Sequence, residues 1–317
     1  MEIKRYEGKL SIIMLIILLT LMFLVFSFMS GTPLKAVKYI EEGGLVLIYS
    51  FLLIVASEVV KSFRYYLLGR KLRRSLSLKE SILVQFIGYF ANILTPGGIG
   101  GIPASASLLS SYADLNLGES LGYATLQSFF DITIPVLISL YISFYFLPKS
   151  ILLILFSLLS ITLWISAFSL RVKNFLIRLV KKIIKRDMGG RIENEISTFQ
   201  NSLKIIWKEK ELALYLFLIT LVAYFIQAFS INVLYVHVSI LRIFTSLMFF
   251  YVMASFPTPG GEGGVEYGLS FLLPLKTVIE WRALYVFSAL LSGIFLIFSI
   301  RDINNYINKF LDILGGF

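Results

Sequence analysis

Two heptapeptides carry the most specific chemistry in this chain. Thr95-Pro96-Gly97-Gly98-Ile99-Gly100-Gly101 and Thr258-Pro259-Gly260-Gly261-Glu262-Gly263-Gly264 agree at six of seven positions, 163 residues apart. Proline has no N–H and disfavours helix in the residue before it, so each motif ends a helix at its threonine. The glycines that follow permit positive φ and close backbone approach. Such a break aims a helix N-terminus and a run of free N–H groups into the space beyond it, a seat for phosphate or carboxylate. In the simpler reading, the glycines only let two half-helices cross closely. The two readings are compatible.

Ionisable residues lie close to both motifs. Asp131 sits mid-way along an apolar run, one helical turn after Gln127; Glu262 lies inside the second motif, with Glu266 one turn later. Charged groups within lipid are costly and usually functional. Here they would hold a cationic or hydroxyl-rich group, or a coupling proton, with interhelical hydrogen bonding as the alternative for Asp131 and Glu266. Glu58, Lys61 and Arg64 follow at i, i+3 and i+6. Glu58 and Lys61 read as an ion pair near the membrane interface. Arg64 is equally suited to snorkel toward headgroups or to bind a phosphate.

Several chemistries are excluded. There are no cysteines, hence no disulfide, thiolate metal site or cysteine nucleophile, and the one histidine, His237, ends an apolar run. Histidine-pair or zinc catalysis has no ligands to work with. No Ser–His set or pair of facing aspartates suggests an intramembrane enzyme. No metal and no cofactor are expected.

These residues must be positioned by helices in lipid. Of 317 residues, 57% are hydrophobic and 15% charged, and the mean hydropathy is +0.84. A soluble domain of this size has no core large enough for so much apolar side chain. Apolar runs cover Leu10–Met29, Leu45–Val60, Ile82–Leu109, Leu121–Leu147, Ile151–Leu170, Leu212–Val236, Ile243–Leu273 and Ala283–Ile300, and the third and seventh are interrupted by the glycine motifs. About 20 apolar residues cross a ~30 Å hydrocarbon layer. The run from Leu10 exceeds a signal-peptide core and has no cleavage site after it, so it reads as a retained helix.

The net charge of +10 does not point to nucleic acid, because the cations cluster between the spans. Lys61–Lys79 holds seven Lys/Arg and Arg171–Lys210 holds eleven, with smaller groups at both termini. The positive-inside rule makes these cytoplasmic, and makes Lys35, Lys38, Lys149, Arg242, Lys276 and Arg282 external. Threading the chain accordingly gives about six full spans. Each interrupted run must then enter and leave on one face, the first from the cytoplasm and the second from outside. Between the halves, Val172, Phe175, Leu176, Leu179, Val180, Ile183 and Ile184 recur at helical spacing opposite Lys and Arg. That segment reads as an amphipathic helix on an anionic leaflet, with docking of a partner protein as the alternative.

The 163-residue offset also carries helix two onto helix five and helix three onto helix six. The predicted fold is therefore an all-α polytopic membrane protein. About six transmembrane helices flank two oppositely oriented re-entrant hairpins in an inverted-topology repeat. It is a single domain over 1–317, with one half near 45–147, the other near 212–300, and a basic linker at 171–210. Inverted repeats of broken helices around a midplane site recur in membrane transporters.

At this point the sequence resembles the transmembrane domain of lysylphosphatidylglycerol synthase/flippases and their stand-alone relatives, over most of the chain. Arg64-Tyr65-Tyr66-Leu67-Leu68 is similar to the family's Arg-x-x-x-Leu patch, with tyrosine for tryptophan. Asn92-Ile93-Leu94-Thr95-Pro96-Gly97 matches its Asn-x-x-x-Pro-Gly motif. Pro259-Gly260-Gly261-Glu262-Gly263-Gly264-Val265-Glu266 matches its Pro-Gly-Gly-x-Gly-x-x-Glu motif. The chain departs from the family at Ile102-Pro103-Ala104-Ser105, where an acid and an arginine are common. It departs again at Gln127 to Asp131, where only the aspartate of Glu-Arg-x-x-Asp remains. The resemblance implies movement of a charged or glycosylated lipid between leaflets. The sequence ends at Phe317, too soon after Arg301 for the soluble synthase domain, so the flippase half alone is expected.

The functional expectation is a lipid flippase of the plasma membrane, with both termini cytoplasmic and membrane lipids as substrate. Arg64 and the glycine-loop N–H groups would hold phosphate, and Asp131, Glu262 and Glu266 the rest of the headgroup. The alternative is an ion-coupled carrier of a small soluble anion. A lateral opening to the bilayer would favour the first, and a closed, water-lined pocket the second. A scaffolding subunit would leave the paired loops without a purpose. A homo-oligomer is left open.

Overall fold

A computed structural model describes residues 44–168 and 186–299, apart from 73, 147, 148 and 236, together with residues 38 and 42. The expected helix at Leu10–Met29 and the amphipathic face from Val172 to Ile184 lie outside the described residues. The described elements are α1 (Gly44–Gly69), α2 (Leu78–Leu94), α3 (Gly101–Ala113), α4 (Leu117–Ser143), α5 (Ile151–Phe168), α6 (Arg186–Leu203), α7 (Ile205–Lys208), α8 (Lys210–Leu234), α9 (Ile240–Met253), α10 (Gly264–Ser270) and α11 (Leu275–Ser299). No strand occurs among the described residues. Four helices, α1, α4, α8 and most of α11, are long and apolar enough to cross a membrane. The protein is a polytopic helical membrane protein.

Local sequence accounts for the boundaries. Ser77 and Glu80 form a capping box at α2, with Ser77 Oγ accepting from the Glu80 N–H and Glu80 Oε2 from the Ser77 N–H. Asn116 and Glu119 do the same at α4. Between α3 and α4, Asp114 takes the left-handed conformation (φ 53°) and closes α3 through its N–H to the Ser110 carbonyl. Helix α2 ends at Thr95, whose extended backbone (φ −109°, ψ 145°) is the conformation that Pro96 imposes on it.

The interrupted runs fold as helical hairpins. Helix α2 turns at the first glycine motif into α3, which packs against it, and α9 turns at the second into α10. Helix α9 has 14 residues and α10 seven. At about 1.5 Å per residue, α9 rises only ~21 Å, short of the ~30 Å hydrocarbon layer. Neither arm of the second hairpin can cross alone.

Packing follows the repeat. Helix α1 lies against α8, its counterpart by the 163-residue offset. Hairpin one packs through α2 on α11, and hairpin two through α9 on α4. Each hairpin thus rests on the last long helix of the other half. The shared core joins both halves: Tyr89, Phe250, Trp281 and Tyr285 form a cluster whose ring centroids lie 5.1–5.2 Å apart.

Three sequence expectations change. Helix α11 starts at Leu275 rather than Ala283, and Glu280, Trp281 and Arg282 are buried. Arg282 is therefore not an external loop residue; its side chain is fully covered by protein. Helix α1 runs on past Val60, so that Lys61 and Arg64 are buried helix positions. The second half of the basic linker forms α6, which packs on the start of α4. Gly118 and Gly122 make this contact: a Cβ there would stand 2.0 Å from the Glu195 carbonyl oxygen and 2.7 Å from that of Phe199.

Candidate functional site

The two glycine motifs meet. Pro96 and Pro259 pair as an antiparallel bridge, and the Gly97 N–H donates to the Thr258 carbonyl at 3.2 Å. Their backbones match as their sequences do. Gly97 and Gly98 have φ of 60° and 69°, and Gly260 and Gly261 have 63° and 71°. An L side chain is strained in this left-handed region, which is why the motif needs glycine pairs here.

Most of the loop N–H groups are already bonded within the protein, which narrows the expected anion seat. In the first loop, Gly98 donates to the Thr95 carbonyl, Gly100 to Thr95 Oγ1 and Gly101 to the Gly98 carbonyl. In the second, Gly261, Glu262 and Gly264 donate to Thr258, Pro259 and Gly261 carbonyls, and Gly263 donates to Glu266 Oε2 at 2.6 Å. Proline followed by left-handed glycine makes tight turns, and turns satisfy their own donors.

Beside the joined tips lies a polar cavity of about 200 Å³. It is lined by Glu58 and Lys61 of α1, Gln85, Tyr89 and Asn92 of α2, Gly97 and Gly98, Ser128 and Asp131 of α4, Tyr251 of α9, Gly260 and Tyr285 of α11. Of the residues expected from sequence, Asn92, Gly97, Gly98, Asp131 and Gly260 face it. Pro96, Pro259, Gly100, Gly101, Gly261, Gly263 and Gly264 build the loops behind that surface. Gly101 gives room for Asn92, since a Cβ there would stand 1.8 Å from Asn92 Oδ1. Gln127 is buried away from the lining, and both its amide heteroatoms lack a hydrogen-bond partner among the described residues.

Three buried ion-pair systems surround the cavity. Glu58 and Lys61 form the expected ion pair, and it is enclosed by protein: their side chains are 2% and 4% exposed, 2.7 Å apart. Glu58 also accepts from Gln85 Nε2 at 2.8 Å, and Lys61 donates to the Tyr251 hydroxyl at 3.1 Å. The Tyr251 hydroxyl in turn donates to Gln227. Arg64 neither snorkels nor stands ready for phosphate. Its guanidinium, 0% exposed, holds Asp131 through two parallel bonds of 2.8 Å. It also donates to Thr220 Oγ1 and to the Gln127 carbonyl. Asp131, 25% exposed, is the member of that pair open to the cavity.

Sequence reasoning missed the third system. Glu262 and Glu266 do not face the cavity. They converge on Arg282, with Nε 2.8 Å from Glu266 Oε1 and Nη2 3.0 Å from Glu262 Oε1. Arg282 Nη2 also donates to the Gly260 carbonyl at 2.6 Å. A signal existed: two acids within one buried turn require a cation, and Arg282 flanks the next apolar run. The positive-inside count assigned it to the exterior instead.

A second, apolar groove of about 220 Å³ opens beside the cavity between α1, α2 and α11. Phe51, Val55, Phe86, Leu291 and Phe295 line it, and it shares Glu58 and Tyr89 with the polar cavity. Its outer residues Leu291 and Phe295 are exposed. Among the described residues no group of side chains could hold a metal ion.

Residues 11–278 match the family described as the lysylphosphatidylglycerol synthase TM region. No curated protein and no solved structure matches the chain.

Proposed function

Because the chain belongs to the lysylphosphatidylglycerol synthase TM-region family, we propose that it is a lipid flippase. A polar headgroup would enter the cavity between the hairpin tips while the hydrocarbon tail stays in the bilayer. The observation that carries this reading is that the two spaces lie side by side, with Glu58 and Tyr89 as their common wall. One carries charged and amide side chains set among apolar ones such as Ile93, Ile132 and Phe250; the other is lined mainly by aromatic and aliphatic ones. A molecule with a polar end and a greasy end fits both at once. Parting of the Pro96–Pro259 contact would then open the chamber to the opposite side, as alternating access requires.

The lining favours headgroups with amine, hydroxyl and phosphate functions over a bare anion. Its charges are Glu58, Lys61 and Asp131, so a cationic or hydroxyl-rich group would bind at Asp131 and a phosphate at Lys61. The loop N–H groups contribute little, since most of them are spent within the loops. The same fact weighs against a carrier of small soluble anions. By the charge rule the basic segments would lie in the cytoplasm of a plasma-membrane protein.

The test fills the groove. In proteoliposomes, transfer is followed with a fluorescent phospholipid whose outer-leaflet copies are bleached by an impermeant reductant, and uptake with labelled inorganic phosphate. Val55→Trp and, independently, Ser292→Trp are expected to slow lipid transfer severalfold. Lipid transfer at the wild-type rate in both variants would refute the reading, and so would phosphate uptake without lipid transfer in the wild type.

A further inference from the structure

Glu262, Glu266 and Arg282 are used by nothing in the cavity, yet they are the most completely buried charges in the second half. Their side chains are 1%, 1% and 0% exposed. Two carboxylates share one guanidinium, which leaves a formal negative charge in a low-dielectric setting where isolated charge is costly. The two acids are not equivalent. Glu266 has both oxygens satisfied, by Arg282 Nε and the Gly263 N–H. Glu262 has only Oε1 bonded, and its Oε2 lacks a hydrogen-bond partner among the described residues, as does Arg282 Nη1.

The arrangement is connected to the tips. Arg282 Nη2 is divided between Glu262 Oε1 and the carbonyl of Gly260, the residue that follows the bridging Pro259 and lines the cavity. Nη2 has two hydrogens and serves both acceptors, and a charged Glu262 draws the guanidinium toward itself and away from that carbonyl. A protonated Glu262 accepts more weakly, so Arg282 turns to Gly260 and holds the second tip in place.

We propose that Glu262 is a proton-binding site that latches the two hairpin tips, so that lipid movement is coupled to protonation. The proton enters as H⁺ and leaves as H⁺, and no bond other than O–H is made or broken. Other titratable or charged groups on the elements packed here are Arg242 and Tyr251 on α9, Tyr267 on α10, and Lys276, Glu280 and Tyr285 on α11. The Tyr285 ring lies 5.6 Å from the guanidinium carbon. Across the cavity stand Glu58–Lys61 and Arg64–Asp131. Each of these carboxylates is matched by its own cation, which leaves Glu262 as the unmatched acid of the three systems.

The inference rests on the flippase reading for its meaning but is tested without a lipid substrate. The chain has no cysteine, so Ile99→Cys and Pro257→Cys in the full-length protein place two spin labels on exposed residues of opposite tips. In lipid nanodiscs the label separation is expected to shift toward the short, latched distance as pH falls. Glu262→Gln should hold that distance at every pH, and Glu262→Asp should give a pH response with its midpoint displaced from that of the wild type. A wild type with no pH response, or a Glu262→Gln variant that keeps one, overturns the latch. Should Glu262→Gln fail to fold, Glu262→Asp decides alone, since a pH profile identical to wild type would then overturn it. Lipid transfer measured on the same samples separates the two ideas. Transfer with pH-insensitive tips sinks the latch alone, and pH-sensitive tips without transfer supports the latch and sinks the flippase.

Discussion

Splitting the Arg64–Asp131 pair should cost very different amounts depending on which partner is removed. Asp131→Leu strands a guanidinium that is 0% exposed and held by two 2.8 Å bonds to the lost carboxylate. Arg64 cannot shed its proton, so the buried charge persists, and removal of one partner of such a pair costs ~3–5 kcal/mol. Its remaining contacts with Thr220 and the Gln127 carbonyl satisfy donors but bring no opposing charge. Arg64→Met instead strands a carboxylate that is 25% exposed to the cavity. It can be reached by water. This loss should be about half as large. The double variant replaces the pair by apolar side chains and should lie within about 1 kcal/mol of wild type, since such exchanges are often neutral or stabilising. Unfolding in detergent micelles, followed by circular dichroism, reads all three. Additive losses in the double variant, or equal losses in the two singles, would refute the argument.

Two further outcomes follow from local geometry. Gly101→Ala places a methyl group 1.8 Å from Asn92 Oδ1 and should destabilise by about 1–3 kcal/mol as overpacking. Asn92→Ala in the same chain should relieve most of this, measurable as a rise in the unfolding midpoint over Gly101→Ala alone. At the other end of the molecule, exposed Glu42 accepts from Lys276 Nζ at 3.0 Å, and this bond together with the lysine charge lowers its pKa. A depressed carboxylate contributes stability that is present above its unfolded value and lost as pH falls through the folded one. Glu42→Gln should therefore lessen the acid-side slope of stability and leave the neutral-to-alkaline side unchanged, which a pH series of unfolding midpoints measures.

Much of the architecture was legible because it depends on local properties. The apolar runs placed α1, α4, α5, α8 and α11 to within a turn or two at most ends, since the need to face lipid is written residue by residue. The paired motifs located both hairpin turns, because proline and glycine constrain φ and ψ wherever they occur. Where the reading failed, the missing information lay between helices. Glu58–Lys61 was legible as an ion pair, but not as an enclosed one. Only the packing of α2, α8 and α9 around it made it a cavity wall. Arg282 looked external because charge counting treats every flanking cation alike.

What the sequence by itself determined is membrane residence, the two breaks, their relation by a repeat, and an acid close to each break. These follow from side-chain transfer energies and backbone sterics, which act on neighbouring residues. Only the tertiary structure decided which charges neutralise one another, that the glycine loops spend most of their N–H groups on themselves and each other, and that an apolar groove lies against the chamber that holds Glu58, Lys61 and Asp131. The physical reason is that charge pairing and cavity shape are set by distances of a few ångströms between helices far apart in the chain. Arg64 with Asp131, and Arg282 with Glu262 and Glu266, are joined by folding alone.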